Sequence, residues 1–530
     1  MCVWRRRNRR LEPGASVGVD MDAWSEGYIT DIPYTRRFFF QMAPGFMAFS
    51  CLRQGVRPPP LGPGSVYLEL GCGHGFGLAL MAAANPEMSF VGVDFHPGQI
   101  ANGQRLARLT GLSNLTLEEL SFEQVLGLPD GRIPQCDVIA LHGVYSWISP
   151  ENRAAIVRIL DRFLKPGGMV YVSYNVLPGW APLVPVQRFV REYVARAPGP
   201  AESEVLNAFK AAREMATGQA RYFGSAPGLI DEIDSALGKQ PAYLVHEYLN
   251  DHFHPLFHSD VARELAAAKL SFVASANSGD DILHLAAPAA LRPLIQGAKD
   301  STWRQTLLDY AANRRFRRDI FVRGPNVLGP VEREALLGQM RFALLAPPQD
   351  IALAFAVPLG ELKADPSLYR PLIEALADEP RSFRELAGLT GAPDGVLLQA
   401  LTMLVAHGQA HPLAESKDAG RNHAAARFNR ALASGLVIED GPYAAAAGAV
   451  GTAVHVDFHE LLALGAPSET PADVKAAAAR GWEIMSRTGA RLQRDGQTLA
   501  DQAANEAELI QRIEAFNRDK RPLFRRLGMI

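Results

Sequence analysis

Cysteine is scarce in this chain: of 530 residues four are Cys, at positions 2, 51, 72 and 136, and none forms a CxxC pair. That excludes a zinc framework built on paired thiolates and a secreted scaffold stapled by disulfides, and a reducing cytoplasm is the expected compartment. Net charge is nearly absent too. The 54 Lys and Arg against 56 Asp and Glu leave −2, which excludes a polycation that binds nucleic acid or anionic lipid by bulk charge. Apolar runs are broken by Pro, Gly or charge well short of the ~20 residues a spanning helix needs, so no membrane span is expected. No apolar stretch of signal-peptide length follows Arg5, Arg6, Arg7, Arg9 and Arg10. Residues 1–24 are expected to be a disordered leader, or to precede a true start at Met21. No fixed-period repeat is present, which excludes a solenoid.

What the chain does hold is a regular alternation of β-rich and helical runs from Gly62 to Asn175. Val66–Leu70, Phe90–Asp94, Leu115–Leu120, Asp137–His142 and Met169–Tyr174 are the expected strands. Strand and helix repeated in this way predict a parallel, doubly wound α/β sheet, with Pro58–Pro60 and Gly62-Pro63-Gly64 at its leading edge. Helices are expected from Trp180 to about Lys239. Beyond them, strands at Phe272–Ser275 and Ile282–Leu285, joined by a turn at 278–281, are expected to complete the sheet. Three helical runs at Tyr369–Leu376, Phe383–Thr390 and Pro393–His407 suggest a winged-helix-like unit. Gly391 to Pro412 contains no Lys or Arg, which argues for packing or docking there and against DNA binding. Ala424–Ala449 reads as a connector and Val456–Leu527 as a further helical unit.

The chemistry begins at Glu69-Leu70-Gly71-Cys72-Gly73-His74-Gly75, a glycine turn between a buried strand and a helix. A dinucleotide fingerprint needs a third glycine where Phe76 stands, so NAD is disfavoured. The run E-x-G-x-G-x-G instead resembles motif I of class I S-adenosylmethionine (SAM) methyltransferases. That resemblance implies SAM as cofactor and a Rossmann-like fold, with Glu69, Gly71, Cys72, Gly73 and Gly75 around the cofactor's amino-acid end and sugar. Asp94 lies at the end of the second strand, 19 residues after Gly75, where a carboxylate can accept both ribose hydroxyl protons; its other reading is a helix cap before Pro97. Phe95 would cover the adenine or pack in the core. Ser121 and Phe122 stand where the family often has an acidic residue on the adenine amino group, and Ser121 with Gln124 also reads as a capping box.

The segments His142-Gly143-Val144-Tyr145-Ser146-Trp147 and Ser173-Tyr174-Asn175-Val176-Leu177-Pro178-Gly179-Trp180 end the fourth and fifth strands, where open α/β sheets bind ligands. The first lacks the N/D/S-P-P-Y/F/W signature of DNA-adenine and glutamine amide methyltransferases. With Tyr28, Tyr34, the His246–Asn250 segment HEYLN and the run Asn313–Asp319, these segments resemble methyltransferases carrying a methyltransferase regulatory domain, best known from rickettsial-type protein lysine methyltransferases. The resemblance implies a protein lysine as acceptor; a small-molecule acceptor, or a SAM-binding docking protein without turnover, are the alternatives. Tyr34, His142, Tyr145, Trp147, Tyr174 and Asn175 are the candidates to orient and deprotonate an amine, each with packing as its other reading. No metal is expected: His246, His252, His254 and His258 lack partners of matching spacing. Arg314, Arg315, Arg317 and Arg318 read as a solvated helix face with internal salt bridges, or as a clamp for an acidic surface.

The expected organisation is therefore a leader (1–24), an N-terminal helical lid (25–60), a SAM-binding domain (61–180 and 241–290) interrupted by a helical insertion (181–240), a connecting helical region (291–360), a winged-helix-like domain (361–430) and a C-terminal helical domain (440–530). The insertion and C-terminal modules are expected to serve substrate capture, homodimer formation or both.

Overall fold

The computed structural model describes residues 36–226, 228–414, 419–436 and 443–530. Tyr28, Tyr34 and the leader expected at 1–24 lie outside them. Seven strands form one sheet: β1 (Val66–Leu70), β2 (Ser89–Asp94), β3 (Leu115–Glu119), β4 (Cys136–Leu141), β5 (Leu164–Asn175), β6 (Leu270–Ser275) and β7 (Phe316–Arg323), in the order β3-β2-β1-β4-β5-β7-β6. The first five run parallel and β7 is antiparallel to both its neighbours. Helices α1 (Pro44–Arg53), α2 (Phe76–Ala84), α3 (Pro97–Thr110), α4 (Phe122–Leu126) and α5 (Pro150–Phe163) accompany them. Strand order reverses between β1 and β4, and the crevice beyond their carboxyl ends is where such a sheet takes its ligand.

Side chains alternate between two cores, as strand geometry requires. Tyr67, Val138, Ala140, Met169, Tyr171 and Ile320 face one; Leu68, Leu70, Ile139, Leu141, Val170, Val172, Tyr174 and Phe321 face the other.

The strand expected at Ile282–Leu285 is instead a short helix, Leu283–Ala286, after a 3-10 turn at Ser278–Asp281. The sheet is completed by β7, which lies beyond the boundary expected at 290 and inside a stretch expected to be helical. Its sequence, FRRDIFVR, carries charge at core positions, so it does not read as a buried strand.

Ala424–Ala449 is not a connector. Helix Ala419–Ala431 and the hairpin Tyr443–Ala447/Thr452–Val456 pack directly on α2, and Ala444–Ala447 are buried. Alanine on both sides lets the backbones approach closely enough for Asn85 Nδ2 to donate to the Gly451 carbonyl at 2.9 Å, while Arg421 pairs with Glu87. The helix that opens at the glycine turn is therefore held from behind by the C-terminal region, which continues through helices Phe458–Gly465, Pro471–Thr488, Gln502–Asp519 and Arg521–Arg526.

Helices Pro366–Ala377, Phe383–Thr390 and Asp394–Ala406 sit with a three-stranded antiparallel sheet in which Arg341–Leu344 lies between Arg381–Ser382 and Ala410–Pro412. Among the described residues, Ala410–Pro412 pairs back to a strand that precedes the helices and forms no hairpin of its own. Two of these helices are jointly apolar but meet at a bend of 115°; no single described helix is long and apolar enough to cross a membrane.

The described chain clusters into two compact units. One holds Pro182–Phe253, whose helices Val184–Val194, Ala201–Thr217, Arg221–Gly224, Leu229–Leu237 and Pro241–Tyr248 are joined internally by Gln187 Nε2 donating to the Tyr248 carbonyl and by an Arg191–Asp251 ion pair. The other holds the remaining described residues to 181 and His254–Ile530.

Candidate active site

The turn after β1 places Gly71, Gly73 and Gly75 at φ of 72°, 56° and 62°. A Cβ on Gly71 would also meet Val144 Cγ2 at 2.6 Å, so this position is closed to side chains both by conformation and by space. Asp94 closes the turn from β2: one carboxylate oxygen accepts the Gly73 N–H at 2.9 Å and the other accepts the His96 N–H at 2.9 Å. Burial raises the Asp94 pKa and these two donors oppose that rise. The helix cap is supplied by His96, whose Nδ1 accepts from Gly98 and Gln99, so Asp94 does not cap α3. Cys72 keeps its proton, because burial and the charges of Asp94 and Glu69 all push its pKa well up.

Ser121 is a cap. Its Oγ accepts from Gln124 N–H and its own N–H donates to Gln124 Oε1 at 2.7 Å, so the capping box expected from sequence is formed and the hydroxyl keeps its own O–H donor. Phe122 opens α4, where a helix leaves backbone N–H groups without intrahelical acceptors. Phe95 is half-buried beside Asp94.

Across the carboxyl edge, one face carries a row of polar groups. Ala140 pairs with Tyr171, which pairs with Ile320; one step outward, Ser173 pairs with Arg318 and His142 follows β4 at the same level. His142 Nδ1 lies 2.9 Å from Tyr171 Oη, and Ser173 Oγ accepts the Gly143 N–H at 2.8 Å. Phe39 stacks on the His142 ring at 3.6 Å and Phe316 meets it edge-on at 6.0 Å. Burial, then Arg318 and Arg37, push the His142 pKa down to about 3, so the imidazole is neutral at physiological pH. Phe39, Tyr171 and Arg318 were not candidates from sequence. Tyr171 was legible as the strand neighbour of Ser173; Arg318 was hidden by its reading as a helix face.

Tyr145 and Tyr174 face the opposite core. The Tyr145 hydroxyl donates to Glu264 at 2.6 Å and the Tyr174 hydroxyl to Asp319 at 2.6 Å, with His258 Nδ1 at 3.0 Å from it. Both rings are fully buried, and both hydroxyls are spent on internal partners, which corrects their candidacy for handling an acceptor amine. Trp147 and Asn175 are buried, and Asn175 N–H donates to Ser146 Oγ at 2.8 Å, fixing the two segments to each other. The arginine run is likewise not a solvated helix face. Arg317 is 1% exposed on β7 and pairs with Asp309 and Asp319, while Arg314 pairs with Asp309 and Asp280. Burial works to raise the Asp319 pKa, but Arg317 and His258 hold the carboxyl below the usual range.

Glu69 tests whether SAM fits. Its Oε2 is buried, accepts no hydrogen bond among the described residues and adjoins Asp94; burial and then the Asp94 charge raise its pKa to about 8. An ammonium is the group this orphan lacks, and glycines with positive φ offer the close approach to backbone that the rest of the cofactor needs. The residues present fit the amino-acid end of SAM. The raised pKa also sets a sign. Glu69 favours its protonated form when the protein folds, so stability without cofactor should fall as pH rises from the ordinary carboxylate range through 8. Thermal melts from about pH 6 to about pH 9 should show that loss, with S-adenosylhomocysteine reversing it and Glu69→Gln abolishing it; a wild-type melt independent of pH in that window would refute the assignment.

Comparison with known proteins bears on the whole chain. Residues 68–170 match a family model described as a methyltransferase domain, and residues 240–323 one described as a predicted methyltransferase regulatory domain. The second match spans β6 and β7. The Synechocystis sp. protein sll1526 is 34% identical over 513 residues, covering 96% of this chain and 99% of that protein. Trans-aconitate 2-methyltransferase from Methylobacterium nodulans is 31% identical over 118 residues, 22% of this chain and 41% of that one. PKMT2 from Rickettsia typhi, solved in complex with AdoHcy, shares the fold with a TM-score of 0.66 at 19% identity, covering 94% of this chain and 99% of that one. A glycine cradle closed by Asp94, the buried Glu69 beside it, the two family-model matches and a relative matching from end to end agree: the chain belongs to the class I SAM-dependent methyltransferases that carry a methyltransferase regulatory domain.

Proposed function

We propose that this methyltransferase acts on lysine side chains of a protein substrate in the cytoplasm. The observation that carries the reading is the acceptor-side row of His142, Tyr171 and Arg318 beneath Phe39 and Phe316. Lysine has an ordinary pKa of about 10.4 and must lose a proton before it can attack. Apolar rings and a neighbouring guanidinium both disfavour an ammonium, so an amine entering here is held in its neutral form. His142, with its pKa near 3, does not take that proton, which leaves to solvent as the amine docks. The likeness to PKMT2 and the motif resemblance to rickettsial-type protein lysine methyltransferases support the same acceptor.

In this reading Glu69 pairs with the cofactor's ammonium, the 71–75 turn supplies backbone groups, Asp94 holds the ribose, and Phe95 and Phe122 bracket the adenine. When bound, SAM would supply an electrophilic methyl on a sulfonium, for which an amine lone pair is the acceptor and the cofactor's thioether the leaving group. The chain's own task is placement and exclusion of water, which can lower such a barrier substantially without a covalent nucleophile. The helical insertion expected at 181–240 and the two C-terminal modules expected at 361–430 and 440–530 serve, in this reading, substrate capture, homodimer formation or both.

Incubation with methyl-labelled SAM and host lysate should label a protein band, with the label recovered as methyllysine after hydrolysis. Label confined to small solutes would replace the protein acceptor by a metabolite. SAM binding without any transfer would reduce the chain to a docking protein.

A further inference from the structure

We propose that Arg318 anchors a carboxylate carried by the methyl acceptor, so that a target lysine is selected by an aspartate or glutamate beside it. The inference deepens the protein-lysine reading and rests on it for the source of that carboxylate. Arg318 stands on β7 opposite Ser173, whose Oγ accepts the N–H of Gly143, the residue after His142. It therefore belongs to the row on the acceptor side. Its guanidinium lies over the Phe316 ring at 5.2 Å, and Phe316 meets the His142 ring at 6.0 Å. Stacking engages the face of a guanidinium and leaves the N–H groups along its edges to hydrogen-bond.

Those edges are short of acceptors. Nη1 donates to Asn277 Oδ1 at 2.8 Å, while Nε is buried without an acceptor among the described residues. Among the described residues no carboxylate lies within ion-pair distance of Arg318, whereas Arg314 and Arg317 on the same run pair with Asp280, Asp309 and Asp319. A half-buried guanidinium without a counter-ion is unfavourable, and a carboxylate received in its planar fork relieves that penalty. Between the apolar rings one negative charge is tolerated better than two, which favours a carboxylate over a phosphate dianion. Because β5 separates β4 from β7, Arg318 lies two strand spacings, about 10 Å, across the edge from His142. An acidic side chain within about two residues of the lysine spans that distance. A carboxylate claimed by Arg318 also no longer holds the lysine in its ammonium form, in agreement with an amine that enters neutral.

The test gives the full-length protein methyl-labelled SAM with a chymotryptic digest of host proteins, which leaves lysines intact, and separately with the host small-solute extract. Mass spectrometry should find Asp or Glu within about two residues of the labelled lysines more often than of lysines in the digest as a whole. One labelled sequence is then synthesised with its acid and with Gln in that place. Wild type should favour the acidic peptide by about 10- to 100-fold in kcat/KM, Arg318→Gln should treat the two alike, and Arg318→Lys should fall between. Calorimetric titration with S-adenosylhomocysteine verifies that each variant keeps its cofactor site. Labelled lysines without acidic neighbours, or an Arg318→Gln that discriminates as wild type does, would overturn the anchor and leave the lysine reading standing. Label found in solutes alone ends the lysine reading; carboxylic acids among the products would still support the anchor, and neutral or basic products would overturn it. No transfer in either arm overturns both. The wild-type preference between the two peptides decides even if a variant does not fold.

Discussion

Replacing Asp94 with alanine is expected to weaken S-adenosylhomocysteine binding by about 100- to 20,000-fold, the sum of two charge-assisted hydrogen bonds at roughly 1.5–3 kcal/mol each. The effect has two sources that the structure separates. One oxygen of Asp94 accepts the Gly73 N–H and so holds the glycine turn in shape, while the carboxylate as a whole is the acceptor available to a ribose. Asp94→Asn keeps an acceptor for the backbone and loses the charge, so its affinity should fall between wild type and Asp94→Ala. Calorimetric titration checks the series. Affinity of Asp94→Ala within about threefold of wild type would remove both roles, because even one lost charged hydrogen bond exceeds that factor.

The second large effect is expected from Asp319→Ala, which should destabilise the fold by about 3–5 kcal/mol in denaturant unfolding, the usual consequence of leaving a buried charge without its partner. Asp319 is fully buried and accepts from Arg317 at 2.8 Å and from the Tyr174 hydroxyl, with His258 Nδ1 at 3.1 Å. Its loss strands the guanidinium of Arg317 on one remaining carboxylate, Asp309. The pH dependence carries the opposite sign to that of Glu69. Because the Asp319 pKa is held below its unfolded value, its stabilisation is complete above the ordinary carboxylate pKa of about 3.9 and is lost as pH falls through the folded value. Wild type should therefore lose stability in acid more steeply than Asp319→Ala. A variant as stable as wild type at neutral pH, with the same acid limb, would show that the network adds nothing to the fold.

That network also gives physical content to the segment matched as a regulatory domain. His258, Asp309, Arg314, Arg317 and Asp319 all lie within residues 240–323, and together they anchor β6 and β7 to the sheet and hold Tyr174 at the end of β5. The segment completes the catalytic sheet. Its strand β7 presents Arg317 to one core and Arg318 to the acceptor row, adjacent residues given different tasks by strand alternation.

The glycine turn, the carboxylate closing β2, the five parallel strands and the His142 segment were legible along the chain, since each rests on local chemistry. Positive φ demands glycine, buried parallel strands read as apolar runs, and a capping box such as Ser121–Gln124 spans three residues. The identity of the sixth and seventh strands, the packing of the alanine-rich region on α2 and the fate of each tyrosine hydroxyl were not legible. Each depends on a partner far away in sequence: Asp309 and Asp319 turn FRRDIFVR from a solvated face into a buried strand, Gly451 meets Asn85 across 366 positions, and Glu264 and Asp319 claim the protons of Tyr145 and Tyr174. Burying a charge or a hydroxyl is unfavourable until its complement arrives. Local pattern therefore chose the cofactor, and long-range pairing of polar groups chose which side chains remain free to meet the acceptor.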